Sequence, residues 1–488
     1  MASRLKLTPL ARSLTKPGLV LLAALAALGG CSHADFTERN LGRVPANVIE
    51  ERFVASSNSE HVALVCKQGS QQVVVRDGRQ DRPYDEIGKL VVTPNGHVVY
   101  AARQNGKGLV VRDGQPGRVY DAVGALLVTE DGRRTTFPGK RDGRLTMVVN
   151  GKEGKWYDEI ANAVMSIDGR RLAYGARAGG KWTMVVDRRE GKPYDEMTPA
   201  VFSPDGGHFA FAARRDSQWR VVVDAIEGSP YERIVGRLLL GARAGHVAYQ
   251  AVRGGRVLVV HDGMEGEEFS FIPELLADDE VATIAYAGLI GDSVVVVSDG
   301  RAGRKYWRVR QLVLGPGGRV AYSAASGQGQ EFMVIDGAEG QTYNGVGKAV
   351  FSPDGRRVAY VAERDSMQAA VVDGSVSEFC GAVSELQFSP DSRRVAYAAR
   401  RGGRWTVVVD STAGQAYDAI VPGNLFSPDS RHVVYGAIRN KKAVLVFDGR
   451  ETGREYNGIR QVVFAAGGRP VFLALRGDTV FSVTYKGN

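Results

Sequence analysis

Cysteine is nearly absent: of 488 residues only Cys31, Cys66 and Cys380 are of that type. No CxxC spacing exists, so a thiolate metal site has no basis, and a disulfide between the isolated Cys66 and Cys380 is not expected. No G-x-S-x-G occurs, which leaves a hydrolase nucleophile without a candidate. Beyond the first thirty residues no apolar run approaches the length of a membrane-spanning helix, so the remainder of the chain is expected to be soluble apart from any anchor. Nor is charge of one sign in large excess. Lys and Arg number 63 against 54 Asp and Glu, and four of the bases (Arg4, Lys6, Arg12, Lys16) precede residue 30, which leaves +5 for the rest. That balance gives no argument for nucleic acid.

What the chain has is repetition. "AVFSPDGRRVAYVAERDSMQAAVVDG" from Ala349 is followed by "QFSPDSRRVAYAARRGGRWTVVVD" from Gln387. Each copy divides into short apolar runs separated by turn formers, a pattern of strands. In Pro-Asp-Gly, Pro fixes φ, Asp bonds its own backbone and Gly accepts φ > 0. A fourth run, such as "QAYDAI", completes a four-stranded antiparallel meander. The residue ending the third strand recurs as Asp77, Asp113, Asn150, Asp187, Asp224, Asp262, Asp299, Asp336, Asp373, Asp410 and Asp448, 36 to 38 residues apart. With a degenerate last copy, "VFSVTYKG", this makes twelve units, and such a period means a propeller, a solenoid or an array.

The first thirty residues stand outside the repeat. "RLKLTPLARSLTK" is basic and "GLVLLAALAAL" apolar but short, which reads as an export signal. The run ends in "LGGC", Leu28 to Cys31, which resembles the bacterial lipobox. The resemblance implies lipidation of Cys31, and Ser32 in place of Asp implies sorting to the outer membrane. Residues 31–43 then serve as a lipidated Cys and polar tether.

Four-stranded units with "SPDG" or "SPDS" between strands one and two, as at Ser203, Ser352, Ser389 and Ser427, resemble the WD40-like propeller repeat of TolB and of prolyl-oligopeptidase-type enzymes. The motif frays at Thr93, Ser166 and Gly315 while keeping the turn. The resemblance implies an all-β β-propeller. The chain enters at "RVPANVI" as a fourth strand and leaves at "FSVTYKGN" as a third, so the two ends are expected to complete one another's blades and remove exposed edges. Twelve blades exceed the usual range of about four to eight in one ring. Two six-bladed rings, residues 44–265 and 266–488, are therefore the expected arrangement, with seven-plus-five or a single large ring also compatible with the strand phase at Glu267.

Chemistry is scarce. His61, His97, His208, His246 and His432 occupy one place in their units, where other units carry Arg171, Arg357 or Arg394. They fall on different blades, and no metal site is expected from them. "YDE" or "YDA" at Tyr84, Tyr120, Tyr157, Tyr194 and Tyr417 contains paired carboxylates, but a catalytic pair is needed once. Recurrence points to turn capping or pairing with Arg. Trp182, Trp219 and Trp405 share the start of strand three and are expected to pack between blades.

The loops between strands two and three carry Arg103, Lys107, Arg177, Lys181, Arg214, Arg253, Arg256, Arg400, Arg401, Arg404, Arg439, Lys441 and Lys442. On one face of a propeller they form a partial basic ring, interrupted at blades seven and eight. Either it is a solvated rim whose arginines pair with the "YDE" acids, or it is a binding surface. The hydrolase domain of prolyl-oligopeptidase-type enzymes and the α/β domain of TolB have no counterpart here. The expectation is thus a non-enzymatic, lipid-anchored, periplasm-facing scaffold that binds a protein partner without a cofactor. An anionic glycan or cell-wall ligand at the channel mouth is the alternative, and a propeller hydrolase or lyase the third.

Overall fold

A computed structural model describes residues 36–488 except 243–245, 328, 424, 466 and 487–488. Cys31 and the export segment lie outside the described residues.

The "SPDG" turns fold as their chemistry requires. The Ser203 hydroxyl donates to Asp205 Oδ1 at 2.6 Å and accepts the His208 amide at 2.9 Å, while Asp205 Oδ1 also accepts the Gly207 amide at 2.9 Å. Ser203 is fully buried, so these bonds satisfy a group that would otherwise be costly inside. The same arrangement recurs at Ser166/Asp168, Ser352/Asp354, Ser389/Asp391 and Ser427/Asp429. Glycine is required at Gly96, where φ is +83° and an added Cβ would lie 2.7 Å from the His61 ring of the preceding unit. At the other end of the meander, Asp113 and Gly114 (φ 50° and 77°) make the two-residue hairpin with positive φ at both positions.

These turns produce twelve four-stranded sheets arranged in a ring, three of them with the first strand split in two. The structure is a β-propeller. In blade one, β2 (Val48–Ala55), β3 (Val62–Gln68), β4 (Gln71–Arg76) and β5 (Arg79–Gln80) pair in sequence order. First strands of successive blades touch one another, which places them toward the axis. Blade twelve is made by Gly458–Phe464, Pro470–Arg476 and Thr479–Tyr485 together with β1 (Phe36–Arg43).

Closure therefore uses residues that composition assigned to a tether. β1 runs antiparallel to Thr479–Tyr485, from Phe36 opposite Tyr485 to Arg43 opposite Thr479. Its inward residues explain why: Leu41 is buried with Val62, Leu473 and Val480, and Phe36 packs on Tyr485 at 5.1 Å. Leu41 thereby joins blade twelve to blade one. Val48 and its neighbours, expected as the closing fourth strand, instead begin the first strand of blade one.

The expected boundary at residue 266 falls at the joint between blades six and seven. Gly266 lies inside the fourth strand of blade six, Met264–Phe269, and one apolar cluster runs from Ala248 and Val259 of that blade to Ile284, Tyr286 and Val297 of blade seven.

Blades join through one recurring aromatic contact. Tyr120, Tyr157, Tyr194 and Tyr231 each lie edge-on against Phe137, Tyr174, Phe211 and Tyr249 of the next blade, with centroids 5.8 to 6.4 Å apart. Each phenol donates to a glutamate on the next blade's fourth strand: Tyr120 to Glu153, Tyr157 to Glu190, Tyr194 to Glu227 and Tyr231 to Glu265. Tyr456 donates to Glu38 on β1, so closure reuses this joint. Trp182, Trp219 and Trp405, expected between blades, are only half-buried, at the hairpin ends of their strands.

Burial alone would raise the Glu227 carboxyl, but the Tyr194 phenol, Arg220, Lys192 and Arg215 outweigh it and hold the group at about 2. Since the folded value lies below the ordinary one, this stabilisation is complete above about pH 4.5 and is lost as pH falls toward 2. Glu227→Gln should lower stability at neutral pH by about 1–3 kcal/mol. It should also flatten the acid branch between those values, as followed by denaturant melts across pH. A second test addresses β1. Leu41→Ala should cost about 2–5 kcal/mol, as for a core leucine, whereas a tether residue would cost almost nothing.

Candidate functional site

The face carrying the loops between strands two and three also carries the connections between blades, because each "YD" aspartate turns back to cap a loop. Asp85 accepts the Asn105 amide, Asp121 the Asp142 amide, Asp158 the Gly179 amide and Asp418 the Asn440 amide. In each case the loop belongs to the blade that the aspartate leads into. The adjacent acid takes a different partner: Glu86 pairs with Arg103 at 3.7 Å. The paired carboxylates are thus two separate fasteners.

Most of the basic ring is paired in the same way. Lys107 meets Asp121 at 2.6 Å, Arg177 meets Glu159 at 3.0 Å, Arg214 meets Glu196 at 2.6 Å, and Lys181 bonds Asp195. Arg253 holds Glu265 at 2.8 Å, and Arg256 reaches the Glu268 carbonyl at 3.2 Å. Across blades ten and eleven, Arg401 pairs with Glu378 at 3.2 Å and Arg439 with Glu451 at 2.8 Å, while Arg404 bonds the Ala416 carbonyl at 2.7 Å. The hydrogen bond from Lys107 lowers the Asp121 carboxyl, and that from Lys181 lowers Asp195. Among the described residues, Arg400, Lys441 and Lys442 make no ion pair, so the uncompensated charge of the ring gathers at blades ten and eleven. Lys441 stands at a loop tip with φ +63°.

Blades seven and eight depart in another way. Where five of the other units place "YDE" or "YDA", they read Phe269-Ser270-Phe271 and Tyr306-Trp307-Arg308. The backbone is unchanged, since the Ser270 and Trp307 amides bond Leu289 and Ala325 carbonyls as the Asp85 amide bonds Arg103. The side chains are not: Phe271 is 57% and Trp307 45% exposed, and Arg308 lies 5.0 Å over the Trp307 ring. This aromatic break in the charged rim was missed in the loop sequences. Its signal is the exchange of acid for aromatic after the recurring Tyr.

On the opposite face each repeat histidine bonds the aspartate of its own blade: His61 with Asp77 at 2.6 Å, His97 with Asp113 at 2.9 Å, His432 with Asp448 at 2.7 Å. His208 and Asp224 pair likewise at 2.5 Å. Units with Arg extend the idea. Arg171 bonds Asp187 through Nε at 3.0 Å and reaches the Gly206 and Gly207 carbonyls of the next blade through Nη1. The histidines stay apart with one exception: His246, bonded to Asp262 at 2.7 Å, is joined by His261, which lay outside the repeat pattern. Cys66 and Cys380 are buried free thiols, and burial pushes the Cys66 thiol up.

Two clefts lie at blade joints. One of about 280 Å³ between blades three and four is lined by Arg134, Lys152, Arg170, Tyr174, Asp187 and Arg188. The other, about 210 Å³, lies at the rim between blades two and three.

Replacing Arg400, Lys441 and Lys442 together with Ser should leave the melting temperature within about a degree, because exposed unpaired charges contribute little. Glu153→Ala, which deprives Tyr120, Arg118 and Arg141 of one shared partner, should lower it by several degrees in the same thermal scan.

No family model matches the chain, and no curated protein matches it. Solved structures do. The β-propeller domain of the trilobed protease of Pyrococcus furiosus, which has an open velcro topology, is 12% identical over 52% of this chain and 97% of its own, with a TM-score of 0.26. The Cps50 (Swd1) β-propeller domain of Myceliophteria thermophila is 11% identical over 52% of this chain and 96% of its own, with a TM-score of 0.23.

Proposed function

We propose that the chain is a lipid-anchored β-propeller scaffold of TolB-like type in the bacterial envelope, facing the periplasm, which binds a protein partner without catalysing a reaction. The observation that carries this reading is the aromatic break in the rim. Exposed Phe271 and Trp307 stand on adjacent blades of a rigid ring, flanked by Arg308, and buried aromatics with Arg are what partners use as anchors. The remaining rim is occupied in fastening blades, which leaves this arc and the cations of blades ten and eleven as the places where the face departs from blade symmetry.

Photocrosslinking from position 307 in intact cells tests it. A single protein adduct is expected, absent when Phe271 is also changed to Ser and absent when the probe sits at exposed Ile226. The same adducts from both positions, or none, would overturn the reading. Anchoring is tested separately. Cys31→Ser should release the protein from membranes, since a lipid chain contributes about 0.8 kcal/mol per buried CH₂ and no helix among the described residues is long and apolar enough to cross a bilayer. Retention after a salt wash would refute the lipid anchor.

The alternative, an anionic glycan or cell-wall polymer at the channel mouth, is favoured by the uncompensated Arg400, Lys441 and Lys442. It predicts polymer binding that falls steeply with added salt and vanishes in the triple Ser variant.

A further inference from the structure

We propose that His246, His261 and Asp262, with the main-chain carbonyl of Val281, form a binding site for a divalent transition-metal cation, zinc foremost, that ties blade six to blade seven. The donor atoms converge: one ligand atom from each of the three side chains lies within 4.8 Å of the others. Asp262 Oδ2 is 2.7 Å from His246 Nδ1 and 3.6 Å from His261 Nε2. The Val281 oxygen is 2.7 Å from that same Nε2. A tetrahedral ion with bonds of about 2.0–2.1 Å separates its ligand atoms by about 3.3 Å, so the His261–Asp262 spacing already fits and the two contacts of 2.7 Å must open by about 0.6 Å. The carboxylate is already aimed, because its other oxygen accepts the Val247 amide at 2.8 Å. Two imidazoles with oxygen donors suit zinc, nickel, cobalt or copper better than magnesium or calcium.

The arrangement occurs at one place in a molecule that repeats nearly everything else. The other repeat histidines, His61, His97, His208 and His432, pair with an Asp that follows Arg76, Arg112, Val223 and Phe447. Only Asp262 follows a second histidine. The joint it serves is also unusual. Phe269 replaces the tyrosine whose hydroxyl would reach the next blade. His246 replaces the arginine that elsewhere reaches the following turn. In that turn Val281, buried and β-branched, takes φ +54°, where other units place glycine or, as at Ser59, Ser392 and Ser430, serine. A cation held by His246, His261 and Asp262 from blade six and by Val281 from blade seven would reinforce a link that His261 otherwise makes alone, through its contact with the Val281 carbonyl.

In the purified, metal-stripped protein, titration calorimetry with Zn²⁺ should show one saturable site and a melting temperature that rises with zinc, while Mg²⁺ and Ca²⁺ give neither. His261→Asn keeps a donor for the Val281 carbonyl but removes the imidazole. It should weaken Zn²⁺ binding at least tenfold, as should His246→Ala, whereas His432→Ala should leave it unchanged. Co²⁺ bound to the unaltered protein should give the intense visible bands of a tetrahedral site and lose them on adding Zn²⁺, a readout independent of whether the variants fold. Absence of a saturable zinc site, an equal effect of His432→Ala, or cobalt spectra of a fully hydrated ion would overturn the proposal.

Discussion

A tyrosine ring laid edge-on against the next blade is the contact on which the ring depends. A four-stranded blade has two apolar faces and covers neither by itself, so its stability is that of its joints. Burying a phenol there also buries its hydroxyl, which then requires an acceptor. Glu153, Glu190, Glu227, Glu265 and Glu38 supply it, and each carboxylate, now partly desolvated, requires cations in turn. Arg141, Lys155, Arg215, Arg253 and Arg476 stand beside them. One packing choice thereby generates a polar chain from the interior to the rim, and part of the basic ring follows from it.

The chain tests this logic internally. Where the hydroxyl is lost, the acceptor is lost one unit later: Phe269 is followed by Ala302, and Cys380 by Ala413, at the position of Glu227. Tyr343 is followed by Val376, and its hydroxyl turns to Gln341 of its own strand at 3.2 Å. Tyr84 is likewise followed by Pro116 and accepts instead from Arg82 at 2.7 Å, so a hydroxyl that loses the glutamate finds another partner.

The repeat, its turns and the four-stranded unit were legible in the sequence because they depend on local chemistry: Ser-Pro-Asp-Gly folds on itself, and an Asp at the third strand's end bonds the second strand's first amide. The residues that make the closure were not. β1 reads as a polar tether because only Phe36, Glu38 and Leu41 face inward, and alternation over eight residues with two bases and a glycine is a weak signal. The expected boundary at residue 266 rested on the loss of the turn motif at "LADDE". Val281 nonetheless adopts the turn's positive φ, and the loss of the motif did not interrupt the core. The paired state of the rim was half-legible, since the acids recur beside the bases. Which cations lack a partner depended on spacings across blades that no linear reading contains.

Function in such a molecule has to be sought where symmetry fails, because a residue present in every blade is already accounted for by the joint or the turn. Three departures remain after that subtraction: the aromatic pair at Phe271 and Trp307, the bare cations at Arg400, Lys441 and Lys442, and the second histidine at His261. Phe271 of the first lies at the joint where Phe269 removes the need for a glutamate and hence for the arginine that would cover it, whereas Trp307 follows Tyr306, which keeps Glu339 as its acceptor. Losing that polar chain takes charge out of this part of the rim. An aromatic anchor placed there meets less competition from fixed ion pairs for a partner's approach, and this links the altered joint to the face that the partner is proposed to use.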